Sequence, residues 1–522
     1  MGYLLNRGSD MLEISKRSRI YVDKSGLIAR LNEVIDTEDR FICMSRPRRF
    51  GKTMAANMVS TFYDHTVDGK KLFEGMEIAK DPSFAERANK YNVIFINMID
   101  YLEGDSLDAM LNHLKQMIIL DLLKAYPDFQ YTDNTDLSRV MYDIYANTHR
   151  SFIVIIDEWD CVMRLYQGND LMQKEYLNFL RRWLKDKSYI ALAYMTGILP
   201  VKKYGQHSAL NMFTEVSMTN PGIYAPYMAF TESEVKQLCE EKQANFDEIK
   251  SWYDGYRLED CEPLYNPRSV VTSIVNKKCG SYWVQTETFE ALKKYIIMNY
   301  DGLKDCILQL MANETVQIET RHFANDMETF ESKDDILTLL VHLGYLGYDA
   351  QHQCVFIPNR EIYEEFVVAT SSAQWDEIIH SVKRSQELLD MIWQKNEKAV
   401  ALGIQSAHLE TSHIQYNDEN ALAYTLSLAL YAARQYYTVI RELPAGNGFA
   451  DLTLIPKQKY QDKPAIVIEL KWNKSANTAI QQIINQQYTN ALANYQGTIL
   501  LAGVNYSKKT RKHQCKIVEI TK

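Results

Sequence analysis

A chain of 522 residues is too long for one hydrophobic core and predicts about three domains. Its 46% hydrophobic and 24% charged residues are the balance of a folded protein, and no apolar run approaches the roughly 20 residues needed to span a bilayer, so a helical membrane protein is excluded. The net charge of −9 excludes bulk attraction to nucleic acid, and any such contact has to be local.

The N-terminal stretch MGYLLNRGSDMLEISKRSR has no secretory h-region, so export is not expected. Asn6 stands where N-myristoylation requires Ser or Thr. The eight cysteines (43, 161, 239, 261, 279, 306, 354 and 515) show no C-x-x-C spacing. That scatter predicts reduced thiols in a cytoplasmic protein rather than a zinc site or a disulfide framework. No low-complexity segment, Gly-Ser linker or internal repeat interrupts the chain, so boundaries are read from changes of pattern.

Residues 1–225 alternate short apolar runs with helical periods, the signature of an α/β domain. FICMS (41–45), NVIFINM (92–98), FIVIID (152–157) and YIALAYMTG (189–197) read as parallel strands covered on both faces. Helical stretches such as SLDAMLNHLKQMIILDLLKAY (106–126) lie between them.

Gly51-Lys52-Thr53 follows the first strand and precedes MAANMVSTFY, the frame of a phosphate-binding loop. In that role Gly51 lets the backbone come close, Lys52 reaches the β/γ-phosphates and the Thr53 hydroxyl holds Mg²⁺. The pattern G-x-x-x-x-G-K-[ST] asks for glycine at position 46, and the residue there is Arg46. FIVIIDEWD ends a buried strand in Asp157-Glu158. Asp157 would hold Mg²⁺ through water, and Glu158 would polarise the attacking water. The same two acids would also suit the first turn of a following helix; beside a framed GKT the metal reading is preferred. Thr196, at the end of the next strand, is placed to sense a γ-phosphate. DEWD also fits a D-E-x-D helicase box, but nothing downstream reads as a second motor domain.

Residues 226–375 read as mostly helical. In TESEVKQLCEE, Thr231 and the glutamates after it come close to a capping box, with the acid one position out. DILTLLVHLGYLGYDAQHQCVFIPNREIYEEF (335–366) reads as helix, hairpin and helix, which resembles a winged helix-turn-helix.

Residues 376–522 read in the order α-β-β-β-α-β-β, with Asn447-Gly448 as a two-residue hairpin turn. Asp451 lies in GFADLTL, and Glu469 and Lys471 in VIELKW on the next strand. Positions i and i+2 of a strand share a face, and an antiparallel neighbour could set Asp451 opposite them. Two such carboxylates are hard oxygen ligands suited to Mg²⁺ or Mn²⁺, and a lysine beside the metal could orient or deprotonate a water. Glu419, on the preceding helix, is an additional candidate ligand. Gln482, Gln486 and Tyr488 are candidates to position water or backbone. A surface Glu469–Lys471 ion pair is the plain alternative; the element order and Asp451 argue against it. KKTRKH (508–513) could touch a nucleic-acid backbone, though such runs are more often solvated turns.

Taken together, YVDKS (21–25), RPRRFGKT (46–53), IIDEWD (155–160), LNMF (210–213), WYDGY (252–256) and YNPRSV (265–270) resemble a bacterial family. YNDENALAY (416–424), RELPAGNGFADLTLIP (441–456) and VIELKW (467–472) extend the match along nearly the whole chain. That family joins an AAA-ATPase-like domain to a C-terminal PD-(D/E)XK nuclease-superfamily domain. The resemblance implies an α/β fold: a P-loop domain at 1–225, a helical lid and winged-helix-like region at 226–375, and a restriction-endonuclease-like domain at 376–522. It also makes Arg46 a trait of the family's loop, R-P-R-R-F-G-K-[ST]. It assigns Glu419 as the helical acid, Asp451 as the strand acid, and Glu469 with Lys471 as the motif pair. The implied cofactors are ATP and Mg²⁺ or Mn²⁺, and the implied activity is an ATPase coupled to a metal-dependent nuclease. The implied partner is DNA or RNA, with no membrane partner. The alternative is an ATP-dependent switch whose nuclease-like domain binds without cleaving. The sequence singles out no arginine finger, whether in cis or from a neighbour in a homo-oligomer.

Overall fold

FICMS is buried at every position, with alternate side chains entering two different cores. Phe41 and Cys43 join one apolar cluster, and Ile42 and Met44 join another. In the computed structural model this segment is β1 (Phe41–Ser45), with β2 (Asn92–Asn97), β3 (Phe152–Asp157), β4 (Ile190–Gly197) and β5 (Thr214–Val216) in the same sheet. The structure describes residues 2–102, 107–201, 203–204, 207–208, 210–258, 261–283, 302–325, 327, 330–372, 376–410, 426, 429–430, 433–445, 448–486, 495 and 497–521. These residues fall into two compact units, Met1–Leu303 with Val316–Glu365, and Lys304–Thr315 with Phe366–Lys522.

In the first unit the strand order is β2-β3-β4-β1-β5, every pair parallel. The same alternation runs through β3, where Phe152, Val154 and Ile156 face one core and Ile153 and Ile155 the other. Two-sided burial is why these strands read as unbroken apolar runs. Helices Leu107–Ala125, Leu137–Thr148 and Asp170–Leu184 cover one face. Helix α1 (Lys52–Tyr63) and the helix Gly26–Val34 cover the other. β5 was not expected; three residues with an exposed first position carry too short a pattern to read. In such a sheet ligands bind at the carboxyl ends of the strands, which here gathers Ser45, Asp157 and Gly197.

Beyond the sheet, Thr231 caps the helix Glu232–Lys242, and the Glu234 carboxylate accepts the Thr231 N–H in return. The box is therefore complete, with the acid three positions after Thr231 rather than displaced. Helices Glu232–Lys242, Phe246–Tyr253 and α2 (Pro267–Asn276) share a small core around Val235, Ile249, Tyr253 and Val270. Lys333–Leu343, the hairpin Gly347–Asp349 to Cys354–Phe356, and α3 (Arg360–Ser372) follow in the expected helix-hairpin-helix order.

In the second unit five strands form one mixed sheet: β6 (Tyr437–Ala445), β7 (Gly448–Pro456), β8 (Ala465–Trp472), β9 (Thr498–Ser507) and β10 (Lys512–Thr521), in that spatial order. β8 and β9 run parallel, joined through α4 (Ala476–Asn485), and the other pairs are antiparallel. The β6–β7 ladder pairs Ala445 with Gly448, so Gly448, expected in the turn, belongs to the strand. Residues 446 and 447 are outside the described residues. One face carries a core built from Leu452, Leu454, Ile466, Ile468 and Leu470 with helices Asp376–Trp393 and Glu397–Glu410. The other carries Ala465, Val467, Ile499 and Leu501 beneath Ile480 and Ile483 of α4. Among the described residues no helix is long and apolar enough to cross a membrane.

Candidate functional site

The loop between β1 and α1 turns at two left-handed residues, Arg49 (φ 67°) and Gly51 (φ 91°), the latter just before the first helical residue. Glycine takes this conformation without the steric penalty an L side chain meets, which is the reason for Gly51. Lys52 is buried, and its Nζ donates to the carbonyls of Arg46 and Pro47, both at 3.0 Å. Burial lowers its pKa, opposed by the carboxylates of Glu158 and Asp157. Thr53 Oγ1 donates to Asp157 Oδ2 at 2.7 Å, and Thr196 Oγ1 to Asp157 Oδ1 at 3.2 Å. The hydroxyl and carboxylate that would share a magnesium ion are thus already neighbours, aligned by the pairing of Asp157 with Thr196 across β3 and β4.

A cavity of about 920 Å³ opens over this loop, within the range that encloses a nucleotide-sized ligand. Its walls include Gly51, Lys52, Thr53 and Glu158 on the loop side, with Tyr21, Phe230 and Arg268 contributed by other segments. Charged and apolar residues thus both line the cavity, as a phosphate chain bearing an aromatic base requires. The residues present fit a magnesium nucleotide.

Three expected residues sit differently from their expected roles. Thr196 is fully buried and is not among the cavity's walls; it orients Asp157. Arg46 is also fully buried and does not line the cavity. Its N–H donates to Gly197 O at 3.0 Å and Nη1 to Ser45 O at 2.9 Å, while Nε and Nη2 have no hydrogen-bond partner among the described residues. Burial pulls its pKa down to about 10. The side chain is turned into the fold, so Arg46 adds no charge at the cavity, contrary to its expected place among the cofactor ligands. Glu158 does line the cavity, in a left-handed conformation (φ 52°), but its carboxylate is bridged to Arg164. Burial and the neighbouring Asp160 raise its pKa. Arg164 also bonds Asp160 Oδ2 at 3.2 Å, and that oxygen accepts the N–H groups of Ile198 (3.1 Å) and Leu199 (2.9 Å). Asp160, the last acid of DEWD, thus fastens the exit of β4.

The outer face of the loop is gripped by residues far along the chain. Trp283 Nε1 donates to Arg48 O at 3.3 Å, Arg49 Nη1 donates to Tyr282 O at 3.0 Å, and Phe50 meets Tyr256 edge-on at 5.3 Å. Pro47 approaches Gly344 so closely that a Cβ there would lie 2.8 Å from the proline ring. Glu361, buried on α3, accepts the N–H groups of Tyr282 (2.6 Å) and Trp283 (2.9 Å) and the Ser269 hydroxyl of α2. Sequence reasoning missed Arg164, Arg268, Trp283 and Glu361. The i,i+4 spacing of Asp160 and Arg164 and the Pro-Arg start of α2 were the available signals.

In the second unit, β7 and β8 pair backbone to backbone only over Leu452–Leu454 and Ile466–Ile468. One step further the same register would set Asp451 opposite Glu469. There Asp451 Oδ2 instead accepts the Leu470 N–H at 2.7 Å. On β8 the face beneath α4 is apolar through Val467 and becomes ionic at Glu469 and Lys471. Lys471 Nζ bonds Glu469 Oε1 and Leu470 O, both at 2.8 Å, and the two side chains are only 5% and 2% exposed. A solvated surface pair is thereby ruled out. Glu419 and Tyr488 lie outside the described residues. Gln482 is on α4 and Gln486 caps its end. Among the described residues no group of three or more His, Cys, Asp or Glu gathers as a metal cluster. The donor chemistry of Asp451 and Glu469, two hard carboxylates on adjacent strands with a buried ammonium beside Glu469, fits a divalent cation.

Residues 9–206 match the family model described as predicted AAA-ATPase, and residues 418–516 that of the PD-(D/E)XK nuclease superfamily. No curated protein matches the chain. Among solved structures, the Walker-type ATPase paby2304 of Pyrococcus abyssi is 13% identical, over 66% of this chain and 94% of that one, with TM-score 0.34. The Aeropyrum pernix ORC2 protein in its ADPNP-ADP complexes is 12% identical, over 72% and 100%, with TM-score 0.34.

Proposed function

We propose that this chain, which carries an AAA-ATPase-like domain and a PD-(D/E)XK nuclease-superfamily domain, is a cytoplasmic ATPase that controls a metal-dependent nuclease acting on DNA or RNA. Eight cysteines without a disulfide fit a reducing compartment. The observation that carries the nuclease half is the buried Glu469–Lys471 pair, with the Asp451 carboxylate on the neighbouring strand accepting the N–H of Leu470 between them. A buried ion pair is weak support for stability, since apolar residues of similar size do as well, so this pair is better explained by chemistry.

At the C-terminal site Asp451 and Glu469, with Glu419 as a third donor, would hold the cation. When bound, a divalent ion supplies Lewis-acid stabilisation of the charge building on the phosphate. Lys471, steadied on Glu469, orients a water for attack. The water oxygen bonds to phosphorus and the phosphorus–oxygen bond to one sugar breaks, leaving a phosphate monoester and a sugar hydroxyl. At the N-terminal site Lys52 exchanges the Arg46 and Pro47 carbonyls for phosphate oxygens. Thr53 and Asp157 would hold the magnesium ion, which would supply charge neutralisation at the phosphates, and Glu158 acts on water once Arg164 releases it. Nucleotide binding moves a loop on which Tyr256, Trp283 and Gly344 rest, and this region, the lid and winged-helix-like part of a three-domain division, relays the state.

The test is Mg²⁺-dependent cleavage of DNA and RNA, with and without ATP, by wild type, Asp451→Ala and Lys52→Ala. The proposal expects cleavage by wild type, loss of at least about 100-fold in Asp451→Ala, and loss of ATP control in Lys52→Ala. Equal cleavage by wild type and Asp451→Ala overturns it. Nucleotide-dependent binding of nucleic acid without cleavage would favour the non-cleaving switch instead.

A further inference from the structure

The end of β8 and the β9–β10 turn meet beyond the buried ion pair. Asn473 N donates to Tyr506 O at 2.8 Å, Lys508 N donates to Asn473 Oδ1 at 2.7 Å, and Lys474 N donates to Asn505 Oδ1 at 2.9 Å. The turn is closed by Arg511 N donating to Ser507 O at 2.7 Å, with Asn473 and Arg511 both left-handed. Trp472, Tyr506 and His513 pack behind it as tilted rings, with centroids 4.8 and 4.9 Å apart. This tip is therefore fixed by its own backbone bonds and aromatic backing.

It presents five cations. Lys474, Lys508, Lys509, Arg511 and Lys512 are all exposed, and none makes an ion pair among the described residues. Elsewhere in the same unit Lys395 pairs with Glu519, Lys516 with Glu397 and Lys463 with Asp462, and the other exposed lysines outside ion pairs among the described residues, such as Lys398 and Lys457, are scattered rather than gathered. In a chain of net charge −9, an ordered tip of five exposed positive charges is a local patch of opposite sign to the whole. It starts immediately after Trp472, three strand positions past Glu469, or roughly 10 Å. That distance is the rise of about three phosphates along one strand of B-form DNA.

We propose that this tip holds the sugar–phosphate backbone of the nucleic acid a few nucleotides from the bond presented to Glu469 and Lys471. Its placement relative to cleavage rests on the nuclease reading above; the binding itself does not. The contact is electrostatic and independent of sequence.

The experiment measures the affinity of the full chain for labelled double- and single-stranded DNA and for RNA of about 30 nucleotides, in EDTA, between 50 and 200 mM salt. The probe variant is Lys508→Ser/Lys509→Ser/Arg511→Asn, in which asparagine tolerates the left-handed backbone. Each lost phosphate contact lowers the slope of log affinity against log salt by about 0.9 on duplex and 0.7 on single strands. The triple variant is therefore expected to lose about 2 to 3 in slope, and Lys508→Arg/Lys509→Arg to keep the wild-type slope. A triple variant with an unchanged slope, or a wild type that binds none of the probes, overturns the proposal. A wild type that binds with this slope but cleaves nothing removes the nuclease reading and leaves the backbone site standing.

Discussion

Lys471→Met is the most informative single change at the C-terminal site. Lys471 and Glu469 are 2.8 Å apart and nearly sealed from solvent. Removing the ammonium leaves a buried carboxylate without its counter-ion, a change that costs about 3–5 kcal/mol. Glu469→Leu strands the ammonium at similar cost. Replacing both together, as Glu469→Leu/Lys471→Met, removes both desolvation penalties and is expected to be neutral or stabilising by roughly 1–4 kcal/mol. Hydrogen exchange of the amides at 465–472, in EDTA, reads these differences locally. Each single variant should exchange roughly two to four orders of magnitude faster than wild type, and the double variant no faster than wild type. Single effects that add to within about 0.5 kcal/mol in the double variant would refute the coupling, and with it the claim that this pair is a buried unit.

Three further outcomes follow from the first unit. Arg46 carries a burial penalty of roughly 3 kcal/mol, from its pKa drop to about 10, against one bond from its side chain to a carbonyl. Arg46→Met should therefore unfold at the same temperature or a few degrees higher, and a loss above about 2 kcal/mol in a calorimetric scan would show unrecognised partners. Burial and Glu361 raise the Glu365 pKa to about 7. A carboxyl raised in the folded state contributes stability at acid pH that is lost as pH rises through about 7. Allowing for partial solvent screening, Glu365→Gln should gain about 1 kcal/mol at pH 8 and little at pH 5, measured by thermal unfolding across that window. Glu361→Ala releases the backbone N–H groups of Tyr282 and Trp283, whose carbonyl and indole respectively brace the phosphate loop, and should weaken ATP about tenfold in a calorimetric titration without abolishing binding.

The parts that sequence made legible are those set by local pattern. Unbroken apolar strands announced a doubly covered parallel sheet, and the GKT frame located a loop that the structure seats beneath a cavity. The order of elements after residue 376 announced the mixed sheet. Side-chain direction was not legible: nothing in RPRRFGKT says that Arg46 turns inward while Arg49 reaches the strap at Tyr282. Partners distant in sequence were equally silent, since Glu361 lies more than 300 residues from Pro47 and only the fold brings their neighbours together. Gly448 was read as a turn residue because Gly446, Asn447 and Gly448 all suit a tight turn, and only the ladder register, which pairs Gly448 with Ala445, puts it in the strand.

The most direct measurement is anomalous diffraction from crystals of the full chain soaked in Mn²⁺. The account predicts an anomalous peak between the Asp451 and Glu469 carboxylates, lost in Asp451→Ala. Well-ordered carboxylates with no peak between them, at manganese concentrations that occupy the Thr53–Asp157 site, would contradict it.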